Sequence, residues 1–164
     1  MFIALDLSTK STGVAVYEEK ENKLVYYDCL TANNSNVIDR IEKIASEIAL
    51  ILLRFPTIDK IVLEEVRPEN NLSNIHTHRV LMWLQAAIAF TAHKINPKIK
   101  LEYIYPSEWR KSCGIKTGRG VKREVLKQED INFVKNTFNI IVNDDIADAI
   151  GIGYHYLVKN QSAF

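Results

Sequence analysis

The chain has 164 residues, of which 47% are hydrophobic and 25% are charged. These proportions are typical of one soluble globular domain, expected here over residues 1–164, and they exclude a disordered segment, a collagen-like rod and a disulfide scaffold. Because 21 basic residues balance 20 acidic ones, the formal net charge is +1, and overall charge indicates neither a nucleic-acid nor a membrane partner. Cys29 and Cys113 are too far apart to form a CxxC motif.

The sequence contains no segment that predicts secretion or membrane insertion. The apolar run at the N-terminus is interrupted by Asp6, whereas a signal peptide has a continuous apolar core. The longest uncharged apolar stretch, Val80–Ala92, is too short to span a bilayer. We therefore expect a soluble cytoplasmic protein with no membrane partner.

The first part of the chain predicts an antiparallel meander of three strands. Apolar runs cover Phe2–Leu7, Gly13–Tyr17 and Leu24–Leu30, and short polar turns separate them. Connections this short favour antiparallel pairing over a parallel β-α-β unit. A helix is predicted next, since apolar residues recur at helical spacing from Val37 to Leu52.

The rest of the chain alternates strands and helices. The segment 106–120 shows no regular apolar pattern and is expected to be irregular. A meander followed by alternating helices and strands predicts an α/β fold, with a five-stranded mixed sheet flanked by helices. The predicted elements are strands over Ile58–Val66 and Lys100–Tyr105, and helices over Thr77–Ile95, over Val121–Phe138 and from Asp144 onward.

Several acidic residues lie among apolar neighbours. Asp6 interrupts an apolar strand, and Glu64 and Glu65 end another. Because successive strand side chains point to opposite faces, only one of these two glutamates can join a site on a given face. Asp145 and Asp148 are spaced i, i+3, which places both on one face of the last helix. The alternative is that these acids cap turns and a helix start in contact with solvent.

Carboxylates that converge from two strands and one helix repel each other unless a cation neutralises them. A ligand set made only of oxygen atoms suits Mg²⁺ or Mn²⁺ better than zinc. Clusters of this kind typically hold two metal ions, which activate water in phosphoryl chemistry. The acids therefore indicate a site for divalent metal ions.

The chain resembles the RuvC Holliday-junction resolvases of the RNase H-like superfamily in three acidic motifs, which read LDLSTKSTGVAV, VLEEVRP and DDIADAIGIGYH. It is most similar to the bacteriophage branch, where stretches similar to YPSEWRKSCGI and GRGVKRE occur. The resemblance implies an RNase H-like fold and an endodeoxyribonuclease that nicks branched DNA in recombination or phage DNA processing. It also implies two Mg²⁺ or Mn²⁺ ions per active site, and the cytoplasm of a bacterium or of a phage-infected host.

The resemblance also assigns roles to particular acids. It makes Asp6, Glu64, Asp145 and Asp148 the catalytic residues and the metal ligands. Glu65 stands where the bacterial enzyme has a neutral residue, and we leave it out of the site.

One departure from the bacterial pattern concerns the choice of junction. Arg67 occupies the place of an aromatic residue that stacks on junction bases in bacterial RuvC. We therefore expect relaxed selectivity, with forks and three-way junctions cut alongside four-way junctions.

Basic residues concentrate between Ser107 and Lys127. A local basic patch on a nearly neutral protein is what a DNA-backbone contact requires, since phosphate contacts position a duplex without reading its sequence. A solvated basic loop is the alternative. The predicted DNA-binding residues are Arg67, Arg79, Arg110, Lys111, Lys116, Arg119, Lys122 and Arg123.

The predicted helix Thr77–Ile95 is apolar nearly all round. Such a helix is either fully buried or packs across a subunit boundary. RuvC relatives are dimers, so the resemblance favours a homodimer, and core packing stays open as the other interpretation.

Three other functions share some of these sequence features. A related RNase H-like nuclease would use the same acids on RNA–DNA hybrids or flaps. A non-catalytic DNA-binding module has no reason to keep four acids near phosphate. Actin-like and sugar-kinase-like ATP-binding proteins share the N-terminal strand and turn, but Ser8 stands where they need glycine and the chain is too short for their two lobes. We therefore expect no small-molecule cofactor.

Overall fold

The computed structural model describes residues 1–65, 72–118 and 120–161, with the side chains of residues 72–74 and 161 left aside. Within these residues it contains five strands: β1 (Phe2–Asp6), β2 (Ser11–Glu18), β3 (Lys23–Thr31), β4 (Lys60–Glu64) and β5 (Lys100–Ile104). They form one sheet in the order β3-β2-β1-β4-β5. The β1–β2 and β2–β3 pairs are antiparallel, whereas β1–β4 and β4–β5 are parallel. The predicted meander and mixed sheet are confirmed.

Helices cover both faces of the sheet. Those in the described residues are α1 (Val37–Arg54), α2 (Leu72–Ile95), α3 (Pro106–Ser112), α4 (Arg123–Phe138) and α5 (Asp144–Gln161). One core, which includes Ile48 and Leu84, joins α1 and α2 to the sheet. The opposite core, which includes Trp109 and Ile150, joins α3, α4 and α5 to it. No helix in the described parts of the chain is both long enough and apolar enough to cross a membrane.

Strand β1 is buried on both of its faces. Ile3 and Leu5 belong to the core beneath α1 and α2, whereas Phe2 and Ala4 belong to the core beneath α5. Side chains alternate along a strand, so Asp6 lies on the same face as Phe2 and Ala4. The alternation therefore directs this carboxylate toward α5.

The prediction of an irregular segment over residues 106–120 is wrong for its first part, which forms helix α3. Pro106 occupies the first turn, where its missing N–H costs nothing. The N–H of Tyr105 donates to the Glu108 carboxylate at 3.3 Å, which closes the start of the helix. A helix of two turns is too short to show the apolar repeat by which the longer helices were recognised.

Several predicted boundaries also shift, among them the start of β4, which is Lys60 instead of Ile58. Helix α2 begins at Leu72 instead of Thr77. The added turn contains the polar residues Ser73, Asn74 and His76, and polar residues of this kind do not prevent helix formation. Helix α4 begins at Arg123 instead of Val121. Gly120 precedes it with φ of 93°, a conformation that glycine adopts readily. Strand β4 ends at Glu64, and Val66 lies outside the described residues.

Candidate active site

The C-terminal ends of the parallel strands β1 and β4 lie side by side. Leu5 pairs with Leu63, so the next residue of each strand, Asp6 and Glu64, reaches the same edge of the sheet. Val62 belongs to the core beneath α5, and Glu64 follows it by two residues. Both carboxylates therefore lie on the α5 side of the sheet.

Glu65 is turned toward the opposite side. Its N–H donates to the carbonyl oxygen of Ile104 at 2.8 Å. Burial is the main cause of a raised pKa of Tyr103, and the negative charge of Glu65 is the second cause. Tyr103 pairs with Leu63, and Leu63 belongs to the core beneath α1 and α2. The side chains of Glu64 and Glu65 thus lie on opposite faces of the sheet, as strand alternation predicts.

Helix α5 begins directly against the sheet next to Asp6. Gly13 of β2 pairs with Asp6, and a Cβ atom at residue 13 would overlap the backbone carbonyl group of Asp145. Only a residue without a side chain permits this approach. The close contact brings the first turn of α5, with Asp145 and Asp148, to the edge where β1 and β4 end.

Three of the four predicted ligands accept a hydrogen bond from a protein donor. These bonds orient the carboxylates from two parts of the chain, strand β2 and helix α3. The donors are the Ser11 hydroxyl to Asp145, the Trp109 indole N–H to Glu64 at 2.8 Å, and the Arg110 guanidinium to Asp148 at 3.2 Å.

Burial and mutual repulsion disfavour the charged forms of these acids. Burial, and then the negative charges of Glu64 and Asp145, raise the pKa of Asp6 to about 7. Burial raises the pKa of Glu64, against the opposing effect of the Trp109 hydrogen bond. The pKa of Asp148 is also raised, by burial first and then by the charge of Asp6. A bound cation would relieve this repulsion.

The donor chemistry of these acids fits a divalent cation. All the candidate ligand atoms are carboxylate oxygens, which suits Mg²⁺ or Mn²⁺. One of them, Oδ1 of Asp148, is buried and receives no hydrogen bond from the described residues. As they stand, no three His, Cys, Asp or Glu side chains of the described residues form a group that could hold a metal ion.

The predicted DNA-binding residues divide into three groups. Arg67 and Arg119 lie outside the described residues. Arg110 is partly buried and forms internal ion pairs with Asp130 and Asp148, so the structure places it away from the exposed surface that the sequence suggested. The remaining residues are exposed, and they are Arg79, Lys111, Lys116, Lys122 and Arg123.

Sequence reasoning missed three residues that contact the site, Ser11, Trp109 and Asp130. Asp130 of α4 is buried and pairs with Arg110 at 3.1 Å. The sequence carried a signal for it, because Asp130 stands four residues before the buried Val134 and therefore on the inner face of its helix. No comparable signal distinguishes Ser11 from the other hydroxyl residues of its turn.

Three solved structures share this fold along nearly the whole chain. The structure of T. thermophilus RuvC in complex with a Holliday-junction substrate matches with a TM-score of 0.73 and 12% identity, covering 98% of this chain and 96% of that one. The yeast mitochondrial Holliday junction resolvase matches with a TM-score of 0.56 and 14% identity, covering 95% and 77%. The fowlpox virus Holliday junction resolvase matches with a TM-score of 0.55 and 14% identity, covering 96% and 98%.

Comparisons at the level of sequence give no such match, either to a protein-family model or to a curated protein. Identities of 12% and 14% explain this difference, because a fold persists after sequence similarity has been lost. The chain therefore has the RNase H-like fold of the RuvC-type Holliday junction resolvases.

Proposed function

We propose that this protein is a metal-dependent endodeoxyribonuclease that nicks branched DNA, Holliday junctions among its substrates. One observation carries the proposal: Asp6, Glu64, Asp145 and Asp148 meet at one edge of a sheet with the RuvC fold. Solved structures that share this fold include Holliday junction resolvases, one of them in complex with its junction substrate. The motifs that resemble the phage branch suggest a role in recombination or phage DNA processing.

The four carboxylates are the proposed ligands of two Mg²⁺ or Mn²⁺ ions. When bound, these ions supply an activated water and stabilise the charge that develops on the scissile phosphate. The chain's own contribution is to hold the ligands in place. The Trp109 indole orients Glu64 and the Ser11 hydroxyl orients Asp145. We expect products with 5′-phosphate and 3′-hydroxyl ends.

The exposed basic residues are the proposed contacts to DNA phosphates. Lys116 and Lys122 lie on the segment between α3 and α4, and Arg123 begins α4. Arg123 also lines a cavity of about 380 Å³ beside the end of β1, together with Arg40 and His76. Two basic side chains, Arg40 and Arg123, therefore lie beside the end of β1, where their charges would attract a phosphate backbone.

We also propose a homodimer that pairs through α2. Val80, Leu84 and Ile88 of this helix are buried in the core, whereas Trp83 is 46% exposed and Phe90 is 72% exposed. One side of the helix packs in the core and the other leaves large apolar side chains uncovered, which supports the proposed dimer. Covering them with a second copy removes apolar surface from water, and two-fold symmetry suits a symmetric junction.

A substrate panel tests the proposed activity. The full chain is incubated with four-way junctions, three-way junctions, forks, linear duplex and an RNA–DNA hybrid, with Mg²⁺ or Mn²⁺ and with a chelator. We expect metal-dependent nicking of the branched DNAs, with forks and three-way junctions cut alongside four-way junctions. Cleavage of the hybrid alone would favour the related nuclease activity. Absence of cleavage in every arm would overturn the proposal.

A further inference from the structure

A buried acid outside the four predicted ligands is bound to the candidate site. The side chain of Asp130, on α4, is fully buried. A buried carboxylate is costly unless a cation pairs with it, and the cation here is Arg110 of α3. Nε and Nη2 of Arg110 donate to Oδ2 of Asp130 at 3.3 and 3.1 Å.

Arg110 contacts a second carboxylate at the same time. Its Nη2 atom also donates to Oδ2 of Asp148 at 3.2 Å. The guanidinium carbon lies 4.2 Å from the ring centroid of Trp109, so the indole face limits where this group can move. One partly buried cation therefore joins Asp130, which belongs to no predicted motif, to a proposed metal ligand.

The short helix α3 holds two of the acids through consecutive residues. Trp109 donates to Glu64 of β4, and Arg110 donates to Asp148 of α5. The position of Trp109 is itself fixed, because its ring packs where a Cβ atom at Gly151 would lie 2.6 Å from Cζ3. The strength of the bond from Arg110 to Asp148 depends on Asp130, because both carboxylates accept from the same Nη2 atom.

We propose that Asp130 is a positioning residue that acts through Arg110, and that sharing this cation keeps Asp148 oriented yet available to a divalent metal ion. This inference rests on the proposed function, in which Asp148 is a metal ligand. Without the Asp130 charge, Arg110 binds Asp148 alone, and an incoming cation meets a carboxylate that is already neutralised. Without Arg110, Asp148 loses the donor that orients it. Partners behind a ligand typically change metal affinity or activity by about 10- to 100-fold.

The test measures Mn²⁺ binding to the full chain without DNA, by calorimetry, together with kcat and KM on a four-way junction. We expect Asp130→Asn to weaken Mn²⁺ binding and to lower kcat, each by about 10-fold or more, with KM for DNA unchanged. The charge of Asp130 also acts directly on Asp148, where it helps to raise the pKa. In an Arg110→Gln background the same Asp130→Asn change should therefore weaken Mn²⁺ binding by a clearly smaller factor, since only this direct effect remains. Glu129→Gln is the matched control, because it removes an exposed charge from the adjacent position.

Several outcomes separate the possibilities. Normal Mn²⁺ binding by folded Asp130→Asn, or an equal loss in both backgrounds, would overturn the inference alone. If the wild-type chain binds Mn²⁺ no better than Asp148→Asn does, the proposed function itself is wrong. Should Asp130→Asn fail to fold, Arg110→Lys provides the second test. Lysine keeps the positive charge but lacks the planar guanidinium group that donates to two carboxylates at once. Wild-type kcat and Mn²⁺ binding in both Arg110→Lys and Arg110→Gln would then contradict the proposal.

Discussion

The backbone carbonyl group of Asp145 lies against Gly13, so closely that a side chain on residue 13 would overlap it. This contact sets the distance between the start of α5 and strand β2. Gly13 also pairs with Asp6, so the same glycine determines how near the carboxylates of β1 and α5 can come. A small change at this position therefore reaches both the stability of the fold and the geometry of the site.

We expect Gly13→Ala to lower the free energy of unfolding by about 1–3 kcal/mol, the usual cost of forcing an extra carbon into a packed interior. Nicking activity should fall further than this loss of stability explains, because α5 must move away from β1. Urea unfolding and single-turnover cleavage measure the two effects. Gly118→Ala is the control for stability, since a Cβ atom there meets nothing within 4 Å. Equal unfolding energies for the two variants would contradict this prediction.

We expect Asp148→Asn to abolish nicking, because the charge of one proposed ligand is lost. The variant should still fold, since Arg110 keeps its pairing with Asp130. Its affinity for junction DNA without metal should hold or increase, because a negative charge near phosphate has gone. Cleavage assays and gel-shift titrations in a chelator check these expectations. Full nicking activity in this variant would overturn the proposed metal site.

The two adjacent glutamates provide a sharp comparison. Glu64→Gln should abolish nicking, whereas Glu65→Gln should cut at nearly the wild-type rate, because Glu65 is turned toward the opposite side of the sheet, near Tyr103. Both changes remove one negative charge, so the difference reports position alone. Equal losses of cleavage rate in the two variants would mean that the wrong glutamate has been assigned to the site.

We expect neutralising Lys116 or Lys122 to weaken binding to all branched DNAs by similar factors and to lower the slope of log affinity against log salt by about one for each residue. Both side chains are exposed and free to reach phosphates. Fluorescence anisotropy at several salt concentrations measures the slope. An unchanged slope in the double variant Lys116→Gln, Lys122→Gln would remove this segment from the DNA contact surface.

Acid should destabilise the fold partly through His155. Burial lowers the pKa of this histidine below the ordinary value of 6.5, and its Nδ1 lies 2.7 Å from the Ser112 hydroxyl. Since the folded form binds the proton less readily than the unfolded form, this contribution is present above about pH 6.5 and is lost as the pH falls below it. His155→Gln should therefore lose less stability than the wild type between about pH 7.5 and about pH 5.5.

Urea unfolding at the two pH values measures this difference. His93→Gln is a matched control, because His93 is exposed on α2. If the stability of His155→Gln falls with pH as steeply as that of the wild type, the buried histidine does not contribute to acid sensitivity.

The sequence predicted the sheet and the convergence of the acids because both depend on local periodicity. The sequence singled out Asp6 because it interrupts an apolar strand, and the i, i+3 spacing already placed Asp145 and Asp148 on one face of a helix. Contacts between distant elements leave no such local signal. The bond from Trp109 to Glu64 joins residues 45 positions apart, and neither residue type reveals it.

The direction of Arg110 shows a second limit of sequence reasoning. Within a run of basic residues, Arg110 and Lys111 look equivalent, and both were predicted to contact DNA. Their positions on α3 differ by one residue, which turns the two side chains about 100° apart around a helix. Arg110 therefore points into the interior and pairs with Asp130, whereas Lys111 is exposed. The run of basic residues in the sequence predicted a basic surface but did not reveal the buried ion pair of Arg110 with Asp130.

The order in which the chain is synthesised has a consequence for when this protein becomes active. The hydrogen bond from Ser11 to Asp145 spans 134 positions, and the bond from the Tyr17 hydroxyl to the Ile150 carbonyl spans 133. The acid cluster cannot form before α5 has been synthesised, because Asp145 and Asp148 lie on that helix. Long-range closure of this kind is a late folding step. A partly synthesised chain therefore lacks the proposed active site until its last helix has been made.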